Sequence, residues 1–242
     1  MNETTGSGFV DPSTPVPEAV QTLGAGDPVT TLWINGEGGM TFRVGATRFA
    51  KWVPAGSGLD LVAEAERMRW ASRYAKVPRV LESGADASGA WLVTSALLGE
   101  SAITERWKAD PATAVRVAGA ALREFHEAFP VEECPYDWSV VARLERAHVE
   151  HGPGDPPPID RLVVCHGDAC VPNTLIDEHG NYAGHVDLGD LGVADRWADL
   201  AVGSWSTEWN YGPGWEDAYL ESYGVEADAE RIRYYRALWN LA

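Results

Sequence analysis

The run His166-Gly167-Asp168-Ala169-Cys170-Val171-Pro172-Asn173 sets a carboxylate five residues ahead of an amide, and a second carboxylate follows in Asp187-Leu188-Gly189. The apolar segment Leu162–Cys165 that leads into the first run reads as a buried strand. Thr174–Ile176, a turn at Glu178–Asn181 and a strand ending at Val186–Asp187 read as a hairpin. That hairpin folds Asp187 back beside Asp168 and Asn173. Two carboxylates and an amide that converge suit phosphoryl transfer. One carboxylate orients an acceptor hydroxyl and takes its proton; the other, with an amide oxygen, holds Mg²⁺, which offsets charge on the phosphates.

The same chemistry needs a lysine for the phosphates and a glutamate to fix that lysine. Lys51 shares a strand face with the apolar Phe49 and Val53, where an ammonium group wants a partner. Two helix glutamates compete for that place. On a helical wheel Leu61, Ala65, Met68 and Ala75 define the apolar stripe, with Glu64 at its edge and Glu66 nearly opposite. Glu64 is the better candidate, and Glu66 reads as a solvated charge. The Gly36–Thr41 hairpin tip offers backbone N–H groups of Gly39, Met40 and Thr41 to phosphates. It does not spell Gly-x-Gly-x-x-Gly.

The elements that must position these residues are α+β. Thr30–Ile34, Met40–Val44 and Arg48–Val53 read as strands, Leu59–Tyr74 as a helix, and Arg79–Ser83 and Ala90–Ala96 as two further strands. After Gly99 the pattern turns helical. Asp110-Pro111 starts a helix running toward His126, Asp137 caps another through about Glu150, and helices near Trp215–Tyr223 and Asp228–Leu241 close the chain. The expected organisation is a loose tail over 1–18, a sheet-rich lobe over 19–96 and a helical lobe over 97–242. His126 reads as packing or capping, and Asp195 and Asp199 at a helix start as caps or locally paired groups.

Composition narrows the partners. The chain has 242 residues and a formal net charge of -17. That charge argues against nucleic acid, whose phosphates need Lys and Arg, and would draw in a cationic small molecule. No apolar run is long enough to span a bilayer, and the N-terminus lacks the basic flank of a signal peptide. A cytoplasmic monomer or weak dimer is expected. The three cysteines, Cys134, Cys165 and Cys170, fit neither a disulfide framework nor a common zinc spacing.

Taken together, His166–Asn173 and Asp187-Leu188-Gly189-Asp190-Leu191-Gly192-Val193-Ala194-Asp195-Arg196 resemble the signature of the aminoglycoside 3′-phosphotransferases. The similarity extends from about Trp33 to the C-terminus, through Thr41-Phe42-Arg43, Lys51-Trp52, Glu64–Arg67 and Tyr234-Tyr235-Arg236. The resemblance implies a two-lobed, protein-kinase-like fold, with a small antiparallel-sheet N-lobe, a larger helical C-lobe and ATP or GTP in the cleft. It marks Asp168 as base and Asn173 and Asp187 as Mg²⁺ ligands. By analogy, Ser95 and Leu97 would meet adenine. An aminoglycoside acceptor asks for carboxylates, for which Asp190, Glu133 and Asp137 are candidates. The family often ends Asp-Glu-Phe-Phe, where this chain has Trp239 and Asn240, and often has Arg where this chain has Asp190. Those departures leave another hydroxylated metabolite or antibiotic open as acceptor. A non-catalytic nucleotide binder is the third reading, opposed by the intact Lys51, Asp168, Asn173 and Asp187.

Overall fold

The computed structural model describes residues 8–10, 14–36 and 38–241. It divides into two compact units, residues 1–72 with 78–96, and residues 73–77 with 97–242.

The first unit is a sheet with two helices. Its elements in chain order are β1 (Gly8–Phe9), α1 (Glu18–Gly24), β2 (Val29–Ile34), β3 (Met40–Val44), β4 (Arg48–Pro54), α2 (Leu61–Ala71), β5 (Val80–Ala85) and β6 (Gly89–Ser95). The strands form one antiparallel sheet in the order β1-β2-β3-β4-β6-β5. Turn chemistry sets the register. Asn35 Oδ1 accepts from Gly39 N at 2.7 Å to close the β2–β3 hairpin, and Asp86 Oδ1 accepts from Ser88 N at 2.7 Å between β5 and β6. Short polar side chains that bond their own turn are the usual device for this. Phe42, Val44, Ala50 and Val93 bury one face of the sheet with Val20 of α1. The Asp60 side chain caps α2 through Val62 N and Ala63 N.

The second unit holds β7 (Glu100–Ser101), α3 (Glu105–Lys108), α4 (Pro111–Ala128), α5 (Val140–Arg146), β8 (Leu162–Cys165), β9 (Thr174–Ile176), β10 (Tyr182–His185), β11 (Gly192–Asp195), α6 (Trp197–Tyr211), α7 (Glu216–Tyr223) and α8 (Ala229–Trp239). Asp110 caps α4 and Pro111 opens it, and the helix buries Ala114, Val117, Ala118, Leu122 and Phe125. Antiparallel β9 and β10 make the expected hairpin, joined on the other side by β7. Strand β8 pairs with β11 rather than with the hairpin, aligning Cys165 with Gly192 and Leu162 with Asp195. Among the described residues no helix is long and apolar enough to cross a membrane.

Several expectations shift. The 1–18 tail lies partly outside the described residues, but within it Gly8–Phe9 pairs with β2, and Glu18 opens α1. The cap of α5 is Ser139, whose Oγ accepts from Ala142 N. Asp137 spends its carboxylate two residues earlier, on Ser139 N at 2.7 Å. The helix also ends at Arg146, four residues short of Glu150.

Candidate functional site

In the first unit, β4 carries Lys51 and α2 carries Glu64. Lys51 Nζ and Glu64 Oε1 lie 2.7 Å apart, and Glu64 is 6% exposed. The apolar stripe of α2 buries Leu61, Ala65 and Met68, and Glu64 lies among them. A carboxylate so placed is tolerated because the ammonium group partners it. The partner is therefore Glu64 and not Glu66. At the hairpin tip, the Gly39 amide is already bonded to Asn35 Oδ1. Met40 and Thr41 lie in β3, where Thr41 faces Lys51 across the ladder. Ser95 ends β6, exchanging backbone and side-chain hydrogen bonds with Arg79. Leu97 begins the main segment of the second unit.

In the second unit, β8 delivers His166, Gly167 and Asp168 into a loop. Gly167 has φ of +86°. A Cβ there would stand 2.2 Å from the Asp190 carbonyl oxygen, so only glycine lets the two segments touch. Five residues on, Asn173 Nδ2 donates to the Asp168 carbonyl at 2.9 Å and to Asp168 Oδ2 at 3.1 Å. The β9–β10 hairpin returns the chain, and Val186 N donates to the Asn173 carbonyl at 3.0 Å. Asp187 follows with φ of +67°, a left-handed conformation that Asp tolerates better than most residues. Asp168, Asn173 and Asp187 are thus brought together.

Electrostatics set Asp168 apart. The residue is half-buried, but its Oδ1 is shielded from solvent and has no partner in hydrogen-bond geometry. Burial pushes its carboxyl above the ordinary carboxylate range, and the Asp187 and Asp190 carboxylates add to the rise. The Cys170 thiol and His166 act in the opposite direction.

A clamp beneath this loop was not foreseen. Asp199 of α6 is fully buried. Its Oδ2 accepts from His166 N at 2.6 Å, and its Oδ1 from Gly167 N at 2.9 Å. His126 Nε2 lies 2.8 Å from the same Oδ2, and His126 Nδ1 lies 2.9 Å from Tyr223 Oη. Burial pushes the Tyr223 hydroxyl up to about 12. The His126 ring thus bridges the Tyr223 hydroxyl and the Asp199 carboxylate. Asp199 and His126 therefore fix the backbone on which Asp168 stands, whereas Asp195, just before α6, bonds locally, accepting from Trp197 N. The missed signal was a lone carboxylate in the apolar run Trp197-Ala198-Asp199-Leu200-Ala201-Val202, which must be buried and hence partnered. His126, Cys165 and Asp199 are also close enough to share a metal ion. Burial, however, pushes the Cys165 thiol up, away from the thiolate a metal needs.

The acidic groups expected to meet an acceptor are otherwise engaged. Asp190 pairs with Arg146, and Arg143 Nη1 lies 3.8 Å from it. Glu133 Oε2 accepts from the Tyr74 hydroxyl at 3.0 Å. Asn240 ends α8, with its side chain on the Arg236 carbonyl. The Trp239 ring lies 6.1 Å from that of Trp209, which is itself 4.6 Å from Trp205.

Comparison with known proteins identifies the family. The model of the phosphotransferase enzyme family (APH) matches residues 35–235. An aminoglycoside 3′-phosphotransferase of Streptomyces fradiae is 37% identical over 225 residues, covering 79% of this chain and 83% of the relative. A streptomycin 3″-kinase of Streptomyces griseus is 33% identical, with 97% of each chain covered. Among solved structures, the aminoglycoside phosphotransferase APH(3″)-Id of Streptomyces rimosus superposes with a TM-score of 0.73 at 28% identity, over 93% of this chain and 99% of that one. The same enzyme in complex with ADP and streptomycin gives 0.68 at 29% identity, over 84% and 90%. The protein-kinase-like α+β fold, the loop with its aspartate and asparagine, and these matches together make the chain a member of the phosphotransferase enzyme family.

Proposed function

We propose that this chain transfers the γ-phosphoryl group of ATP or GTP to a hydroxyl of an aminoglycoside-like small molecule. The observation that carries the reading is Asp168, a carboxylate with one oxygen held by Asn173 and the other buried and unpartnered. A carboxyl raised above its ordinary range is a better base than a free one. Asp168 would take the acceptor proton as the acceptor oxygen bonds to the γ-phosphorus. The bond from that phosphorus to the bridging oxygen breaks, and ADP or GDP leaves.

Lys51, held by Glu64, would contact the nucleotide phosphates. The donor set fits Mg²⁺, which prefers oxygen. Asn173 commits its Nδ2 to Asp168, which leaves its amide oxygen, with the Asp187 carboxylate, to hold the ion. When bound, the ion offsets charge on the phosphates.

A second reading keeps the chemistry and changes the acceptor. Asp190, Glu133 and Asp137 already have partners, and a polycation needs carboxylates that are free. A sugar, an amino alcohol or another antibiotic would need fewer of them. Two relatives, an aminoglycoside 3′-phosphotransferase and a streptomycin 3″-kinase, favour the first reading. An ADP-release screen over aminoglycosides, streptomycin included, and simple alcohols separates the two. Mg²⁺-dependent turnover of at least one aminoglycoside is the expected result. Turnover of simple alcohols alone would move the acceptor to the second class, and no turnover of any hydroxyl compound would defeat both.

A further inference from the structure

Asp190 is tied to the Asp168 loop by the contact between its carbonyl and Gly167, and its carboxylate acts on Asp168. Two arginines one helical turn apart on α5 reach it. Arg143 is only 5% exposed. Its guanidinium lies 4.7 Å from the centre of the Trp138 ring and donates to the Trp239 carbonyl at 3.4 Å. Arg146 is different, bonding Asp190 Oδ1 directly while 45% exposed, with Asp190 34% exposed. The inner arginine is therefore locked in packing, and the outer pair stands open to solvent and to ligands.

We infer that Arg146 is a specificity-determining residue, which competes with the ammonium groups of the acceptor for the Asp190 carboxylate. This rests on the reading that Asp168 faces the acceptor hydroxyl. Two guanidinium groups on one carboxylate leave Asp190 little charge to offer an ammonium group. A densely cationic acceptor meets repulsion from Arg143 and must displace Arg146. A part-exposed ion pair is worth at most about 1 kcal/mol, so displacement is feasible but weakens binding. The acceptor class favoured is one with few ammonium groups near the hydroxyl that reacts. This arrangement tunes affinity locally, against a long-range field from the net charge of -17 that attracts cations of every kind.

The test uses spermine as a plain polycation, with binding measured by calorimetry at low salt. Arg146→Gln should bind it about fivefold more tightly than the wild type, the equivalent of losing the competing pair. Arg146→Lys, which keeps the charge, should stay near the wild type. The gain should vanish when Arg146→Gln is combined with Asp190→Asn. In the kinetic arm, KM for an aminoglycoside that the wild type accepts should fall by a similar factor in Arg146→Gln, with kcat within about twofold. Spermine binding that is no tighter in Arg146→Gln, or a gain that survives Asp190→Asn, would overturn the inference. The spermine arm needs no turnover. An enzyme inactive on every acceptor would therefore sink the functional reading while leaving the competition at Asp190 decided.

Discussion

Replacing Asp168 with Asn should abolish most turnover and at the same time stabilise the protein. Asp168 Oδ1 is buried without a partner, so the negative charge it carries lacks solvation. The Asp187 and Asp190 carboxylates raise the penalty for its charge. Asn keeps a carbonyl oxygen for the 3.1 Å bond from Asn173 Nδ2 and removes the charge, while its amide nitrogen takes the unpartnered place. The lost charge alone gives a gain of about 1 kcal/mol, or roughly 2–4 °C in Tm for a chain of this size. A carboxyl whose pKa is higher in the folded than in the unfolded state contributes stability that is complete below the unfolded pKa and is lost as pH rises through the folded one. The advantage of Asn should therefore be full above the raised folded value. It should shrink as pH falls through the raised folded value and vanish near the unfolded value of about 3.9. Thermal and urea unfolding, both in EDTA to remove divalent ions, measure it, and ADP release with an accepted substrate measures kcat. Loss of a general base should lower kcat by about a hundred- to ten-thousandfold. If Asp168→Asn is no more stable than the wild type at pH 7.5, the account of the site as an electrostatically strained carboxylate is wrong. Near-normal turnover would remove Asp168 from the chemistry.

Two further perturbations probe what holds the site. Glu64→Ala strands Lys51 and should lower kcat/KM for the nucleotide by about tenfold or more, while Glu66→Ala changes it less than about twofold; the opposite ranking in ATP-titrated initial rates would contradict the pairing. Asp199→Asn sets an amide N–H against one of the donors now bonded to the carboxylate, and should cost about 3 kcal/mol in urea unfolding with a fall in kcat larger than any change in KM. A variant as stable and active as the wild type would show that the loop holds itself.

The chemistry-bearing residues were legible because their signals are local. A carboxylate and an amide five residues apart, a strand before them and a hairpin after them fix one another through backbone geometry over a few residues. The distance from Asp168 to Asn173 follows from that loop alone. Glu64 was legible for the same reason, since the helical period sets which glutamate shares the apolar stripe of α2. Charge and composition argue against nucleic acid without any fold.

Tertiary structure alone decided the rest. Asp199 lies 33 residues beyond His166 in the chain and touches it only because α6 packs beneath the loop. His126 meets both of them from α4, so a residue that reads as a helix-end filler becomes part of the clamp. The pairing of β8 with β11 brings the segment after Asp187 alongside the strand that leads into Asp168. The close contact between Gly167 and Asp190 follows from this, and no period in the sequence encodes it. The fate of Asp190 shows the difference most clearly. The sequence presents a free acidic group beside the metal motif, but α5 supplies two arginines from more than forty residues away. A charge read from sequence is a formal one, and its availability depends on which opposite charges the fold brings within a few ångströms.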